Sequence, residues 1–195
     1  MKPQRKQDII LAGVGGQGIL SIATVIDNAA LREGLFIKQA EVHGMAQRGG
    51  AVQSHLRLSK DRIWSDLIPR GEADMILSVE PLEALRYLDY LRPEGVVVTS
   101  STPFINIPDY PDREGLLARL QSIRGSIIVD SEKLAKDAGS SRTQNTVMLG
   151  AASRHLILRE ENLLEYIRVL FAPRGELILE ANLKAFELGR RAAGF

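Results

Sequence analysis

Hydrophobic and polar positions alternate along the chain in blocks that predict strands and helices in turn. Ile9 to Ala12 is a continuous apolar run bounded by Asp8 and Gly13, the pattern of a buried parallel strand. From Gly18 to Arg32, Ile19, Ile22, Ala23, Ile26 and Ala30 recur at helical spacing, with Gly34 as the stop. Leu35 to Ala40 reads as a second strand, followed by a polar, glycine-rich stretch from Glu41 to Gly50. Ala51 to Ser59 alternates with period two, as in a half-exposed strand, and Arg62 to Trp64 is expected to return beside it as a hairpin. Glu72 to Val79 resumes as strand, Pro81 opens a helix to about Leu91, and Gly95 to Ser100 is a further buried strand. Three prolines between Thr102 and Pro111 predict a loop or short edge strand. Helix over Glu114 to Ile123 and strand over Ser126 to Asp130 follow. From Ser131 the chain reads as helical, with breaks near Gly139 and at Pro173-Arg174-Gly175. The pattern predicts an α/β fold: a Rossmann-like three-layer domain with a mostly parallel sheet, a small antiparallel insert and a helical C-terminal third.

Length and composition narrow the function classes. The 195 residues suit one domain, 1–195, and show no linker or internal repeat. A formal net charge of +1 gives no field pointing to nucleic acid, and no aromatic-rich basic surface suggests base stacking. The basic residues within Met1 to Lys6 read as a solvated tail. No run approaches the ~18 apolar residues of a membrane span, and the apolar run after the N-terminus stops at the glycines, so the expected location is cytoplasmic. With no cysteine, the chain can supply neither thiolate ligands to an iron–sulfur cluster nor a cysteine nucleophile.

Three stretches could carry chemistry. In Gly13-Val-Gly-Gly-Gln-Gly18 an apolar strand ends in glycines and feeds a helix, so that backbone N–H groups can approach an anion at the helix N-terminus. Gly13, Gly15 and Gly18 satisfy the dinucleotide pattern G-x-G-x-x-G, but the acidic residue expected about 20 positions on is missing: Lys38 stands there, and Glu41 comes three residues late. An NAD(P)-dependent dehydrogenase and a non-catalytic nucleotide-binding module therefore stand as alternatives, beside a plain tight turn. The second stretch, His43 to Gly50, holds Arg48 between Gly44 and the pair Gly49-Gly50, offering a planar five-donor fork where backbone can approach closely. His43 is a candidate acid or base without a partner carboxylate fixed by spacing. His55 and His155 read as structural, and the three histidines have no metal-ligand spacing. The third stretch, Arg142 to Ala151, places Thr143, Asn145 and Thr146 at the start of an apolar helix, where one of them should serve as cap. Gly150 interrupts that helix at a cost of about 1 kcal/mol relative to Ala, which is explained if another backbone packs closely there, and predicts an interface or a buried turn, with plain core packing as the alternative. Phosphate loop, nucleophile elbow and Gly-Asp-Gly diphosphate–metal motifs are all absent.

Together Gly13 to Gly18, Glu41-Val-His-Gly-Met-Ala-Gln-Arg-Gly-Gly50 and Asn145-Thr-Val-Met-Leu-Gly150 resemble the gamma-type subunits of the 2-oxoacid:ferredoxin oxidoreductases. The form of the second motif is closest to the beta subunit of the indolepyruvate enzymes, and the likeness runs from Asp8 to about Gly189. The resemblance implies a Rossmann-like subunit, inactive alone, of a complex that oxidatively decarboxylates a 2-oxoacid, here an arylpyruvate, to an acyl-CoA. It implies thiamine diphosphate and [4Fe-4S] clusters on an alpha-type partner, ferredoxin as acceptor through the complex, and a possible homodimer when the partner is absent. Coenzyme A enters as co-substrate, and the implied cofactor-binding residues are Gly13, Gly15, Gly16, Gln17, Gly18, Gly44, Arg48, Gly49, Gly50 and Asn145.

Overall fold

In the computed structural model, which describes residues 6–43, 49–105 and 107–194, six strands form one sheet in the order β2-β3-β1-β4-β5-β6. The strands are β1 (Lys6–Val14), β2 (Phe36–His43), β3 (Ala51–Ser59), β4 (Ala73–Ser78), β5 (Leu91–Ser100) and β6 (Ile127–Val129). The helices are α1 (Leu20–Arg32), α2 (Pro81–Arg86), α3 (Arg113–Gln121), α4 (Ser131–Asp137), α5 (Gln144–Ala152), α6 (Glu160–Phe171) and α7 (Glu176–Ala192). Strands β1, β4, β5 and β6 are mutually parallel, whereas β3 runs antiparallel to both β1 and β2.

The period-two geometry of a strand explains the two cores. Ile9 and Leu11 face a cluster made with α1, α5, α6 and α7, while Ile10 faces Ile76, Val97, Ala84 of α2 and Leu120 of α3. Both faces of β1 are therefore covered, which is why its sequence is continuously apolar.

The antiparallel insert differs from the expected hairpin. Residues Arg62 to Trp64 form no strand; β3 instead lies between β2 and β1 and pairs with each along its whole length. The polar phase of β3 satisfies the returning segment with side chains. Arg57 Nη1 donates to the carbonyls of Ser65 and Leu67, both at 3.0 Å, and His55 Nδ1 accepts from Ile68 N–H at 3.0 Å. Burial, with the Arg57 charge adding to it, lowers the His55 pKa, consistent with a neutral ring acting as acceptor, and its edge meets the Tyr90 ring. Arg57 also grips the fully buried Asp8 with two bonds, 2.9 and 3.1 Å, and Lys6 reaches the same carboxylate at 2.7 Å. The helix from Pro81 ends at Arg86, short of Leu91, and passes through a 3-10 turn into a strand that starts at Leu91 rather than Gly95. A register irregularity between Ala73 and Met75 accommodates that extension.

The C-terminal third is helical, with the expected breaks at Gly139 and Gly175 and a further, unexpected one between Ala152 and Glu160. Helix α5 is buried from Thr146 to Ala152, between the sheet and α7. Its contact with α7 depends on two glycines that face each other's backbones. A Cβ at Gly150 would lie 2.1 Å from the Phe186 carbonyl oxygen, and one at Gly189 would lie 2.0 Å from that of Val147. The close backbone approach at Gly150 is thus present, and it is core packing of α5 against α7 rather than an interface or a buried turn.

Candidate functional site

The C-terminal end of β1 gathers the three motif stretches. The first turn is closed by its own side chain: Gln17 Oε1 accepts from Val14 N–H at 2.7 Å, and Gln17 N–H donates to Val14 O at 3.0 Å. Gly13 is required for packing, because a Cβ there would meet Val79 at 2.7 Å and Ile19 at 2.8 Å. Gly16 and Gly18 are required for conformation, with φ of 103° and 71°.

The second stretch is joined to the first through backbone. Gly15 N–H donates to Gly50 O at 2.8 Å, and Gly49 N–H donates to Gly15 O at 3.2 Å. Gly44 and Arg48 lie outside the described residues, as does the side chain of His43. The third stretch contributes Asn145, whose Nδ2 lies 2.8 Å from Gln17 O, 2.9 Å from Gly18 O and 3.2 Å from Ser21 Oγ. Asn145 thereby clamps the loop by its carbonyls.

These bonds sort the amides. Those of Gly15 and Gln17 are used inside the chain, whereas those of the exposed Gly16 and Gly18 have no partner among the described residues. They open at the start of α1, where unsatisfied N–H groups and the helix dipole favour negative charge. A cavity of about 360 Å³ lies beside Gly16, lined by Gly16, Gln17, Val79, Phe104, Arg142 and Asn145, among others. The exposed guanidinium of Arg142 forms no ion pair among the described residues. Arg142 also borders a second depression of about 480 Å³, where Phe171, Leu177 and Ile178 meet Arg174. A larger depression of about 690 Å³, lined by Arg32, Lys60 and Arg154 among others, shares no lining residue with the three motifs.

None of the polar residues at the start of α5 caps it by side chain. Thr143 donates to Ser140 O at 2.8 Å, Asn145 holds the glycine turn, and Thr146 donates to Asn182 of α7 at 2.6 Å. Sequence reasoning missed two features. Arg142 opens the third motif but its side chain was not assigned; its place before the helix that carries Asn145 is the signal that could have found it. The buried Glu80, at the end of β4, holds the wall opposite. Its Oε1 accepts from Phe104 N–H at 3.3 Å and, in a very short bond, from the Tyr110 hydroxyl. Burial first, then the bond to this carboxylate, drives the Tyr110 pKa far above the normal phenol range. No sequence spacing announces that contact.

The sheet order also disposes of the dinucleotide pattern. In a nucleotide-binding Rossmann unit the second strand lies beside the first, so that its terminal carboxylate reaches the ribose. Here β3 intervenes, and Glu41 on β2 is two strand spacings, roughly 10 Å, away from β1.

A mostly parallel sheet with an intercalated antiparallel strand and a glycine turn clamped by Asn145 defines an α/β oxidoreductase-subunit fold. The chain belongs to the pyruvate ferredoxin/flavodoxin oxidoreductase family, whose model matches residues 8–192. An indolepyruvate oxidoreductase subunit, IorB, of Thermococcus kodakarensis is 39% identical over 97% of this chain and 96% of that protein. The fold is similar to 2-oxoglutarate:ferredoxin oxidoreductase from Magnetococcus marinus, solved with 2-oxoglutarate, coenzyme A and succinyl-CoA bound. That match has a TM-score of 0.77 and 25% identity, covering 97% of this chain and 31% of that one. The pyruvate oxidoreductase subunit PORC of Thermotoga maritima shares the fold, with a TM-score of 0.73 and 21% identity over 96% of this chain and 97% of that subunit.

Proposed function

We propose that this chain is the small, non-autonomous subunit of a 2-oxoacid:ferredoxin oxidoreductase acting on indolepyruvate or a related arylpyruvate. Its relatives include subunits of indolepyruvate, ketoisovalerate and 2-oxoglutarate enzymes, and the indolepyruvate subunits are the most similar of these. The complex oxidatively decarboxylates the oxoacid and transfers the acyl group to coenzyme A, with electrons passing to ferredoxin. Thiamine diphosphate and the iron–sulfur clusters belong to the alpha-type partner in this reading. A chain without cysteine cannot offer a cluster its thiolates, and the described residues hold no group of side chains suited to a metal. No helix among the described residues is long and apolar enough to cross a membrane.

The observation that carries the proposal is that the glycine turn, linked to Gly49 and Gly50 and clamped by Asn145, exposes the Gly16 amide at a cavity shared with Arg142, whose guanidinium forms no ion pair among the described residues. Gly16 N–H, Gly18 N–H and Arg142 would hold a phosphate of coenzyme A. The adjoining depression with Arg174 gives room for a ligand longer than one phosphate group. Arg48 and Gly44 are proposed to close the cradle from the second stretch, and Gly49 and Gly50 to hold it. The small subunit's contribution is thus to bind and orient the acyl acceptor, lowering the entropic cost of its encounter with the acyl group held on the partner. The test is Arg142→Ala in the complex reconstituted with its partner. Loss of one charge-assisted contact should raise the KM for coenzyme A by roughly tenfold or more. An unchanged KM for coenzyme A would refute the assignment.

A further inference from the structure

The segment between β5 and α3 brings Phe104 into the lining of the anion cavity, and Ile105 and Ile107 follow it in the same segment; the three side chains are 42%, 73% and 40% exposed. It contains Pro103, Pro108 and Pro111, which have no N–H to donate. Its entry is fixed by Ser101 N–H on Val129 O, at 2.8 Å, and Thr102 N–H on Ser100 Oγ, at 3.0 Å; its exit is the Asp112 cap of α3. Between those points, the hydrogen bonds that the described residues of 103–111 donate into the body are two. Phe104 N–H and Tyr110 O–H both end on one atom, Oε1 of Glu80.

The two oxygens of this buried carboxylate have separate tasks. Oε2 accepts from Glu83 N–H at 2.8 Å and caps α2, while Oε1 holds the segment. The backbone of Glu80 is fixed in turn: Ser78 Oγ donates to Glu80 O at 2.6 Å, and Val79 N–H donates to Ala12 O at 3.0 Å, tying the anchor to β1 next to the glycine turn. A helix cap alone would need one oxygen and no tyrosine.

We propose that Glu80 is a positioning residue of the anion site, and that it holds Phe104, Ile105 and Ile107 as an apolar lip that receives the non-phosphate end of a coenzyme A thioester. The ligand class rests on the functional reading above; the positioning does not. Phosphate groups need only the amides and Arg142. An exposed apolar segment that enters the cavity wall at Phe104 suits a ligand that carries an apolar or thioester-bearing arm as well as its anionic end. Burying such an arm against Phe104 requires the lip to be held at one height, and a buried carboxylate bonded twice does this better than a solvated loop.

Tyr110→Phe separates the tasks, because it removes the hydroxyl's bond to Oε1, together with its backbone bond to Leu82, and leaves the Glu80 cap on Glu83 N–H intact. The first measurement uses the full chain with Trp64→Phe, which removes its single, 80% exposed tryptophan, and Phe104→Trp as reporter on the lip. Adding Tyr110→Phe should shift the Trp emission to the red and increase its quenching by acrylamide; identical spectra and quenching would overturn the positioning role. The second measurement uses the complex reconstituted with the partner subunit, without the tryptophan changes. Tyr110→Phe should raise the KM for coenzyme A by about threefold to tenfold while kcat stays within twofold. An unchanged KM, or a loss confined to kcat, would overturn the role of the lip in binding. A wild-type complex whose rate does not saturate with coenzyme A would refute the functional reading and the ligand assigned to the lip, whatever the fluorescence shows.

Discussion

Gly150→Ala tests how the helical third holds the site in place. Helix propensity alone favours the change by about 1 kcal/mol, since Ala is the better helix former. The structure reverses that sign. The new methyl would stand 2.1 Å from the Phe186 carbonyl oxygen and 2.8 Å from its carbon, atoms of helical backbone that cannot turn aside. Helices α5 and α7 would have to separate by about 1 Å along their contact. Gly189, 2.0 Å from Val147 O by the same construction, marks the other side of the same contact. Overpacking of this kind costs about 1–3 kcal/mol, and the clash with backbone on both sides points to the upper part of that range. After the propensity gain, a net loss of about 2 kcal/mol remains. For a chain of this size that corresponds to a fall in Tm of roughly 4–8 °C. Urea unfolding of the isolated chain followed by circular dichroism, with Gly139→Ala as a control at a site where no neighbour stands within 4 Å but φ is +105°, measures the effect. The α5 displacement should also reach Asn145, so the affinity for coenzyme A should fall in the reconstituted complex. A Gly150→Ala chain as stable as wild type, or more so, would refute the close backbone contact.

Two further outcomes follow from buried charge. Arg57→Ala removes the two-pronged partner of the fully buried Asp8 and both side-chain bonds to the segment before β4; unfolding should cost about 3–5 kcal/mol less than in wild type, measured by urea titration. Asp27, on α1, is raised by burial to a pKa of about 6, and its Oδ1 is buried without a hydrogen bond. Its folded pKa lies above the unfolded value near 3.9, so the native state holds the proton longer, and stability falls as pH rises from about 4 to about 6. Asp27→Asn should remove that slope: the Tm difference between variant and wild type widens across this interval and is constant above it. A difference independent of pH would show that Asp27 is not protonated in the fold.

Much of the fold was legible because local pattern and tertiary role coincide. The apolar run at Ile9 to Ala12 is apolar on both phases because helices cover both faces of β1. The glycine in an otherwise good helix, Gly150, announced a close neighbour because nothing local rewards it. Strand order was not legible. The alternation of Ala51 to Ser59 reports one face less buried than the other, but the same pattern serves a hairpin at the edge or an insert beside β1. The choice is made by Arg57 and His55, which reach residues 65 to 68 and replace the expected ladder. In the site, the glycine turn, its link to Gly49 and Gly50 and the clamp by Asn145 came from motif residues. Arg142 and Glu80 did not, because each works through a neighbour distant in sequence: Arg142 lines one cavity with Gly16, and Glu80 holds residues 24 and 30 positions on.

The central claim is that outward amides and a guanidinium on this subunit serve a redox centre carried by another polypeptide. The direct measurement is coenzyme A-dependent reduction of ferredoxin by indolepyruvate, phenylpyruvate, pyruvate and 2-oxoglutarate. It should be made with the purified chain, with its alpha-type partner, and with both together. Turnover is expected only when both are present, greatest with an arylpyruvate. Oxidation of any of these acids by the chain alone, or full activity of the partner without it, would contradict the account.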